Sequence, residues 1–130
     1  MSSLGDKRDQ WLAAFDWEAV TTMNAALCAK TNSLHRPTSD GHEPCREKWV
    51  AGYCNEMSFR ETLEFLKASH RLAPFCFNNS NTFAAIARTL ILQMDLSTSA
   101  ALVRSAAGHY VAGVLRDDEL DAILSQVPAD

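Results

Sequence analysis

Apolar residues recur at helical spacing through most of the chain, and no stretch alternates between apolar and polar residues as a strand would. The most regular run comprises Phe83, Ile86, Ala87, Leu90, Ile91 and Met94. Spacings of three and four place such side chains on one face of an α-helix. The pattern predicts an all-α protein with this helix at the centre of its core.

Start and stop signals indicate further helices. Ser58 and Glu61 have the spacing of a capping box, in which side chains satisfy two backbone N–H groups at a helix start. Asp16 suits the N-cap of an earlier helix, and Gly113 suits the residue that follows a later one. A first short helix is expected over residues 6–15. Together these signals predict a compact bundle of about six or seven short helices.

The domain organisation follows from length and turn residues. A chain of 130 residues suits one domain, so we expect a single helical domain over residues 1–130. Residues 1–5 are expected to be disordered. Residues 31–43 contain proline and an Asp-Gly pair, and they predict the longest loop. Long loops in compact domains are often functional, so a binding site is sought there first.

Composition mainly excludes classes of partner. Twelve Lys and Arg against sixteen Asp and Glu give a net charge of −4, which disfavours binding to nucleic acid. No apolar stretch approaches the ~18 residues of a membrane-spanning helix, so no membrane contact is expected. The first residues lack the apolar core of a signal peptide. We expect a cytoplasmic protein whose four cysteines are reduced.

The sequence contains no catalytic or cofactor motif, and no cofactor is predicted. We therefore expect a protein that binds another macromolecule, as a subunit, a regulator, or a neutralising partner of the immunity-protein or antitoxin kind. A small acidic chain suits masking of a basic partner surface. Aromatic residues and the long loop supply the expected contacts. The predicted contact residues are Trp11, Phe15, Trp17, His35 and Arg36.

A homodimer is also possible. The helix expected over residues 97–112 is rich in alanine and glycine, which permit close approach of a neighbouring helix. That neighbour is either another helix of the same chain or a helix of a second copy. The sequence leaves both arrangements open.

One alternative is a zinc protein, or a small metal- or thiol-dependent enzyme, built on residues 35–54. The candidate metal ligands are His35, His42, Cys45 and Cys54. Zinc takes imidazole and thiolate ligands in a tetrahedron. However, if Cys45 and Cys54 share one helix, their spacing of nine places them on opposite faces. Without metal, a helix N-terminus favours the thiolate of Cys45, and His42 is its candidate base.

A second alternative is a DNA-binding regulator. Residues 82–90 resemble the first helix of a helix-turn-helix, and residues 97–109 would then form the recognition helix. The intervening residues 91–96 contain no glycine and exceed the usual turn of about three to four residues. Arg104 and His109 are the contacts that this second helix offers to DNA.

Overall fold

The computed structural model describes residues 3–94, 96 and 100–129, and α-helices dominate this part of the chain. A 3-10 helix, Leu4–Asp6, begins it, and two-residue strands β1 (Arg8–Asp9) and β2 (Met57–Ser58) pair antiparallel. Within these described ranges no helix is long and apolar enough to cross a membrane. The prediction of an all-α bundle is confirmed. The helices are α1 Trp17–Lys30, α2 His42–Gly52, α3 Phe59–Arg71, α4 Asn79–Leu92, α5 Ala100–Val111 and α6 Asp117–Leu124.

Helix α4 lies at the centre of the core, as its apolar spacing predicts. It contacts α1, α3 and α5, and it buries Phe83 and Ile86 completely. Trp49 of α2 packs on Phe83 with ring centroids 5.8 Å apart, and its indole N–H donates to the carbonyl of Phe15 at 2.8 Å. Every helix contributes to this one hydrophobic cluster, which holds the loops between helices in place.

Two predicted helix starts are confirmed by their hydrogen bonds. The backbone N–H of Glu61 donates to the Ser58 hydroxyl at 3.0 Å, and the Glu61 carboxylate accepts from the Ser58 N–H at 2.8 Å. The Asp16 carboxylate accepts from the N–H of Ala19 at 2.9 Å. These side chains replace the backbone acceptors that the first turn of a helix lacks.

Gly113 ends α5 as predicted. Its φ of 86° is in the left-handed region that favours glycine. The N–H of Gly113 donates to Tyr110 at 3.0 Å, and the N–H of Val114 donates to His109 at 2.8 Å. This is the hydrogen-bond pattern of a Schellman motif, which satisfies carbonyl groups at a helix end.

The helix predicted over residues 6–15 is wrong. Strand β1 and a run of turns occupy this segment instead. The carbonyl of Lys7 accepts from the N–H of Phe59 at 2.9 Å, next to the β1–β2 pair. This part of the backbone therefore bonds to the start of α3, and those bonds replace the ones that a local helix would make.

Residues 3–5 also differ from expectation, since disorder was predicted for residues 1–5. Leu4 is buried in the core, and its N–H donates to the carbonyl of Val127 at 2.7 Å. The burial of one leucine and this hydrogen bond fix the segment against the end of the chain.

The long loop ends two residues earlier than predicted, because α2 begins at His42. The loop therefore spans residues 31–41 and not 31–43. Gly41 is the N-cap, and Pro44 becomes the third helical residue. The first four N–H groups of a helix have no intrahelical acceptor, so proline is tolerated there as well.

The small residues of α5 pack inside this chain. Ala106 and Ala107 are buried, and a Cβ added to Gly108 would lie 2.8 Å from the guanidinium of Arg88 on α4. This face is therefore already covered and is not available to a second copy. The first residues of the helix predicted over 97–112 lie outside the described part of the chain.

Candidate partner-binding surface

Two loops lie side by side at one end of the bundle. Residues 31–41 link α1 to α2, and residues 72–78 link α3 to α4. Pro37 and Phe75 form an isolated antiparallel bridge between them. We call the exposed side of these two segments the connector surface. Two backbone hydrogen bonds flank the bridge, Thr38 N–H to Pro74 C=O at 3.0 Å and Cys76 N–H to Arg36 C=O at 2.8 Å.

Asn24, which is fully buried on α1, holds both segments from below. Its amide nitrogen donates to the carbonyl of Phe77 at 2.8 Å and to the hydroxyl of Thr82 at 3.0 Å. Since a carbonyl can only accept, this bond fixes the orientation of the amide. The amide oxygen then faces Nδ1 of His35 at 2.8 Å and must accept its proton. Neutral His35 is therefore held with Nδ1 protonated.

Aromatic side chains form the floor beneath the two segments. Phe75 is buried and stacks on Trp17 with centroids 5.8 Å apart and planes 10° apart. The imidazoles of His35 and His42 lie 5.8 and 6.1 Å from the same ring. These packed rings therefore restrain the position of the two segments above them.

Backbone strain is concentrated at the ends of these segments. Asn32, Ala73 and Asn78 have φ values of 55°, 48° and 62°, and they are the non-glycine residues with positive φ among those described. Asparagine tolerates this left-handed region, but alanine at such a position costs about 1–2 kcal/mol. Strain of this kind often accompanies functional segments.

We expect Ala73→Gly to stabilise the protein. Glycine removes the left-handed penalty but gains backbone freedom in the unfolded chain, so the net increase in the free energy of unfolding is about 0.5–1 kcal/mol. Urea unfolding measures it, with the exposed helical Ala68→Gly as the control that should destabilise. If both glycine variants are destabilised alike, the strain at Ala73 is refuted.

The connector surface exposes large apolar side chains. Leu34 is 58% exposed and Phe77 is 50% exposed, although the carbonyl of Phe77 accepts a hydrogen bond from buried Asn24. His35, Arg36 and Cys76 are exposed beside them. Such an arrangement offers apolar area with a polar rim, which is the usual anatomy of a protein-binding patch.

The charge of this region is opposite to that of the whole chain. No Asp or Glu occurs in residues 19–39 or 65–94, so the sixteen acidic residues lie elsewhere in the sequence. Arg36 is exposed on the connector surface, and Lys30 is exposed just before it at the end of α1, whereas exposed Asp40 is the one carboxylate within the two segments. This uneven distribution of acidic residues can be read from the sequence. The search for apolar spacing within each helix did not reveal it.

The predicted contact residues fall in different environments. His35 and Arg36 lie on the connector surface, and half-buried Trp17 supports it through Phe75. Phe15 belongs to the core, so its prediction as a contact is wrong, because its apolar ring fills space inside the bundle. Two contact candidates were missed, Leu34 and Phe77, each an apolar residue inside a polar segment.

Trp11 lies away from the connector surface. It packs edge-on against Phe59 with centroids 5.3 Å apart, and its indole donates to the carbonyl of Lys7 at 3.2 Å. With Leu4 and Met94 it lines a surface cavity of about 380 Å³. The predicted aromatic contacts Trp11, Phe15 and Trp17 therefore do not share one surface, because turns replace the helix expected over residues 6–15.

The four predicted metal ligands do not come together. Cys45 points into the core, while Cys54 is exposed beyond the end of α2. His35 bonds to Asn24, and His42 packs on an indole. In the described ranges no group of three or more His, Cys, Asp and Glu side chains is placed to hold a metal ion. The predicted set of four ligands is therefore not assembled, because Cys45 is buried in the core while Cys54 is exposed past the end of α2.

Cys45 is also the opposite of an activated thiol. Burial raises its pKa to about 11, and its sulfur donates to the carbonyl of Ser69 at 3.6 Å. A buried neutral thiol of this kind behaves as a small apolar side chain. The predicted lowering of its pKa at a helix start is wrong, since desolvation raises the pKa by more than the nearby Lys48 ammonium and the hydrogen bond to Ser69 lower it.

Lys48, one turn along α2, is half-buried against α3. Its ammonium donates to the hydroxyl of Ser69 at 2.8 Å and to the carbonyl of Phe65 at 3.0 Å, and it lies 3.5 Å from the centroid of the Phe65 ring. Burial lowers its pKa to about 8. The residue therefore links α2 to α3.

We expect the free energy of unfolding to rise between pH 8 and 9. The folded chain releases the Lys48 proton near pH 8, while the unfolded chain holds it up to 10.5, so folding is favoured as pH rises through this interval. Above pH 9 the raised pKa of Cys45 acts in the opposite direction. Urea unfolding at several pH values tests this. Lys48→Met should abolish the rise, whereas Cys45→Ala should keep it; a rise that survives in Lys48→Met assigns it to another group.

Arg60 of α3 is the centre of the main ionic cluster and lines a surface cavity of about 260 Å³. Its partners are on α3, α5 and α6, so the cluster fastens the last helix to the bundle. The charge of Arg60 is thus satisfied within the chain. The contacts are to Glu64 at 3.0 Å, Asp117 at 3.3 Å, Asp121 at 2.7 Å and the hydroxyl of Tyr110 at 3.0 Å.

The two helices of the DNA-binding alternative correspond to α4 and α5. They pack along each other, with Gly108 against Arg88. Residue 95 of the proposed turn and residues 97–99 at the start of the proposed recognition helix lie outside the described part of the chain. Of the predicted DNA contacts, His109 is exposed and Arg104 is part-buried.

Comparison of this chain with protein-family models, with curated proteins and with solved structures finds no match.

Proposed function

We propose that this protein acts by binding a protein partner, as a subunit, a regulator or a neutralising partner, and that the connector surface makes the contact. One observation carries the proposal: Leu34 and Phe77 are 58% and 50% exposed on two segments that the Pro37–Phe75 bridge joins. Functional residues are often found on loops that a rigid scaffold positions.

The energy available at this surface is sufficient for specific binding. Burying an exposed leucine or phenylalanine contributes about 1.5–3 kcal/mol each. Aromatic anchors at the centre of an interface often dominate its affinity. The partner that buries Phe77 therefore gains from the apolar ring, and polar neighbours such as Arg36 would set the orientation.

We place this binding in the cytoplasm, where thiols stay reduced. Cys76 is exposed on the connector surface, so oxidation would alter the contact. Binding experiments therefore require a reductant. A Cys76→Ser variant should bind as the wild type does when reductant is present.

Site-specific photo-crosslinking in cells of the source tests the proposal. A crosslinking amino acid replaces Phe77 in one variant and Val114 in another, because Val114 is 73% exposed but lies after α5. We expect a discrete crosslinked protein only from position 77. Leu34→Ser, introduced with the crosslinker at 77, should reduce its yield.

The crosslinker variants at positions 77 and 114 change exposed side chains. Their free energies of unfolding should therefore stay within about 0.5 kcal/mol of that of the wild type. Equal crosslinking from positions 77 and 114 would refute the connector surface as the contact. So would an undiminished yield in the Leu34→Ser variant.

A further inference from the structure

We propose that the segment bound at the connector surface is an extended stretch of partner chain that carries carboxylates. It pairs with the backbone of His35, sets an apolar side chain against Leu34, and places acidic side chains at Lys30 and Arg36. This inference rests on the proposed function and names the chemistry of the partner.

The backbone offers an open edge at His35. The carbonyl of Arg36 and the N–H of Thr38 bond toward the 72–78 segment. In an extended chain the backbone groups of successive residues point to opposite sides. The N–H and C=O of His35 therefore point away from that segment, and neither has a hydrogen-bond partner within the described ranges. An added strand would satisfy both groups.

The residue before a proline favours extended backbone conformations, and this preference stabilises the extended backbone next to His35. Arg36 precedes Pro37, and residues 33–36 lie outside any helix or turn. The Asn24 amide holds the His35 ring from the other side at 2.8 Å. A partner segment would meet a strand whose position is already fixed.

The charges at this edge favour an acidic segment. Lys30 and Arg36 are exposed, and neither forms an ion pair with a carboxylate in the described part of the chain. The chain has a net charge of −4, which led to the expectation of a basic partner. At physiological ionic strength the screening length is about 8 Å, so charges at the edge outweigh distant ones. Lys30 and Arg36 outnumber the exposed carboxylate of Asp40, so the local charge is positive and sets the sign of the partner.

Titration of the isotope-labelled full chain with synthetic peptides tests this inference by NMR. The probe is a short peptide that alternates glutamate with leucine, and its control replaces each glutamate by lysine. At peptide concentrations up to about 1 mM, we expect the acidic peptide alone to shift amide signals of residues 34–36 and 76–78. Methylation of alternate backbone nitrogens in the acidic peptide should remove the shifts.

Charge reversal provides a second measurement. Arg36→Glu should weaken binding of the acidic peptide about 5- to 10-fold, since it replaces an attraction by a repulsion. Arg116→Glu, at the exposed N-cap residue that precedes α6, is the control and should leave the affinity within about twofold. Equal losses in both variants would show a general charge effect and overturn the inference.

Other outcomes also decide. Absence of any shift, equal shifts with the lysine peptide, or stronger shifts of the same amides with a single-stranded oligonucleotide would each overturn the inference. A protein crosslinked at position 77 through a basic segment would overturn it and leave the proposed function standing. Failure of crosslinking at position 77 would remove the proposed function, whatever the peptides do.

Discussion

Replacing Gly41 by alanine is expected to lower the free energy of unfolding by about 3 kcal/mol, the upper part of the usual cost of overpacking. An added Cβ would lie 1.9 Å from the carbonyl oxygen of Leu72 and 2.5 Å from that of Ala73. Both atoms belong to the backbone, so no side-chain rotation relieves the contact. The start of α2 must move away from the 72–78 segment, which disrupts the connector surface.

Thermal and urea unfolding measure this effect, with an expected fall in melting temperature of about 10 °C. Ser39→Ala is the control, because Ser39 lies in the same loop and is exposed. That variant should melt within about 2 °C of the wild type. A Gly41→Ala protein as stable as Ser39→Ala would mean that the two segments are not in contact at this point.

Replacing Asn24 by alanine should cost about 2–3 kcal/mol. The variant leaves the carbonyl of Phe77 and the ring of His35 without their hydrogen-bond partner. It also leaves a cavity at the buried position that the Asn24 side chain fills. The cost is that of the unpaired groups and exceeds the net value of the lost hydrogen bonds. Denaturant unfolding gives the energy, and NMR should show faster amide exchange in residues 76–78.

Asn55→Ala is the matched control for this variant. Asn55 is exposed in the turn after α2, and we expect its loss to change the free energy of unfolding by no more than about 0.5 kcal/mol. If Asn24→Ala loses stability but the exchange of residues 76–78 is unchanged, the amide is a core residue only. The claim that it positions the connector surface would then be withdrawn.

Much of the fold could be predicted because its signals are local. The capping box of Ser58 and Glu61 and the apolar face of α4 depend on residues a few positions apart, and both are confirmed. The first helix was predicted wrongly for the same reason. Its apolar spacing fits a helix, but a hydrogen bond from the distant Phe59 to Lys7 contributes to a different backbone path.

The candidate site depended on contacts that sequence distance conceals. Asn24 could be placed on the buried stripe of α1, but its partner Phe77 is 53 residues away. The left-handed backbone of Ala73 has no sequence signal, because alanine rarely adopts it. The long loop was rightly expected to be the place to search, and the exposure of Leu34 became visible only in three dimensions.

The hydrogen bonds that join the two loops also affect the thermodynamics of any association. A segment that orders upon binding spends about 2–5 kcal/mol or more of its interaction energy on lost conformational entropy. Residues 31–41 and 72–78 are already tied through the bridge at Pro37 and the buried amide. Their share of that entropy is lost when the chain folds. On binding, only the partner segment therefore loses further conformational entropy. Calorimetry should give a heat-capacity change set by the apolar area that becomes buried.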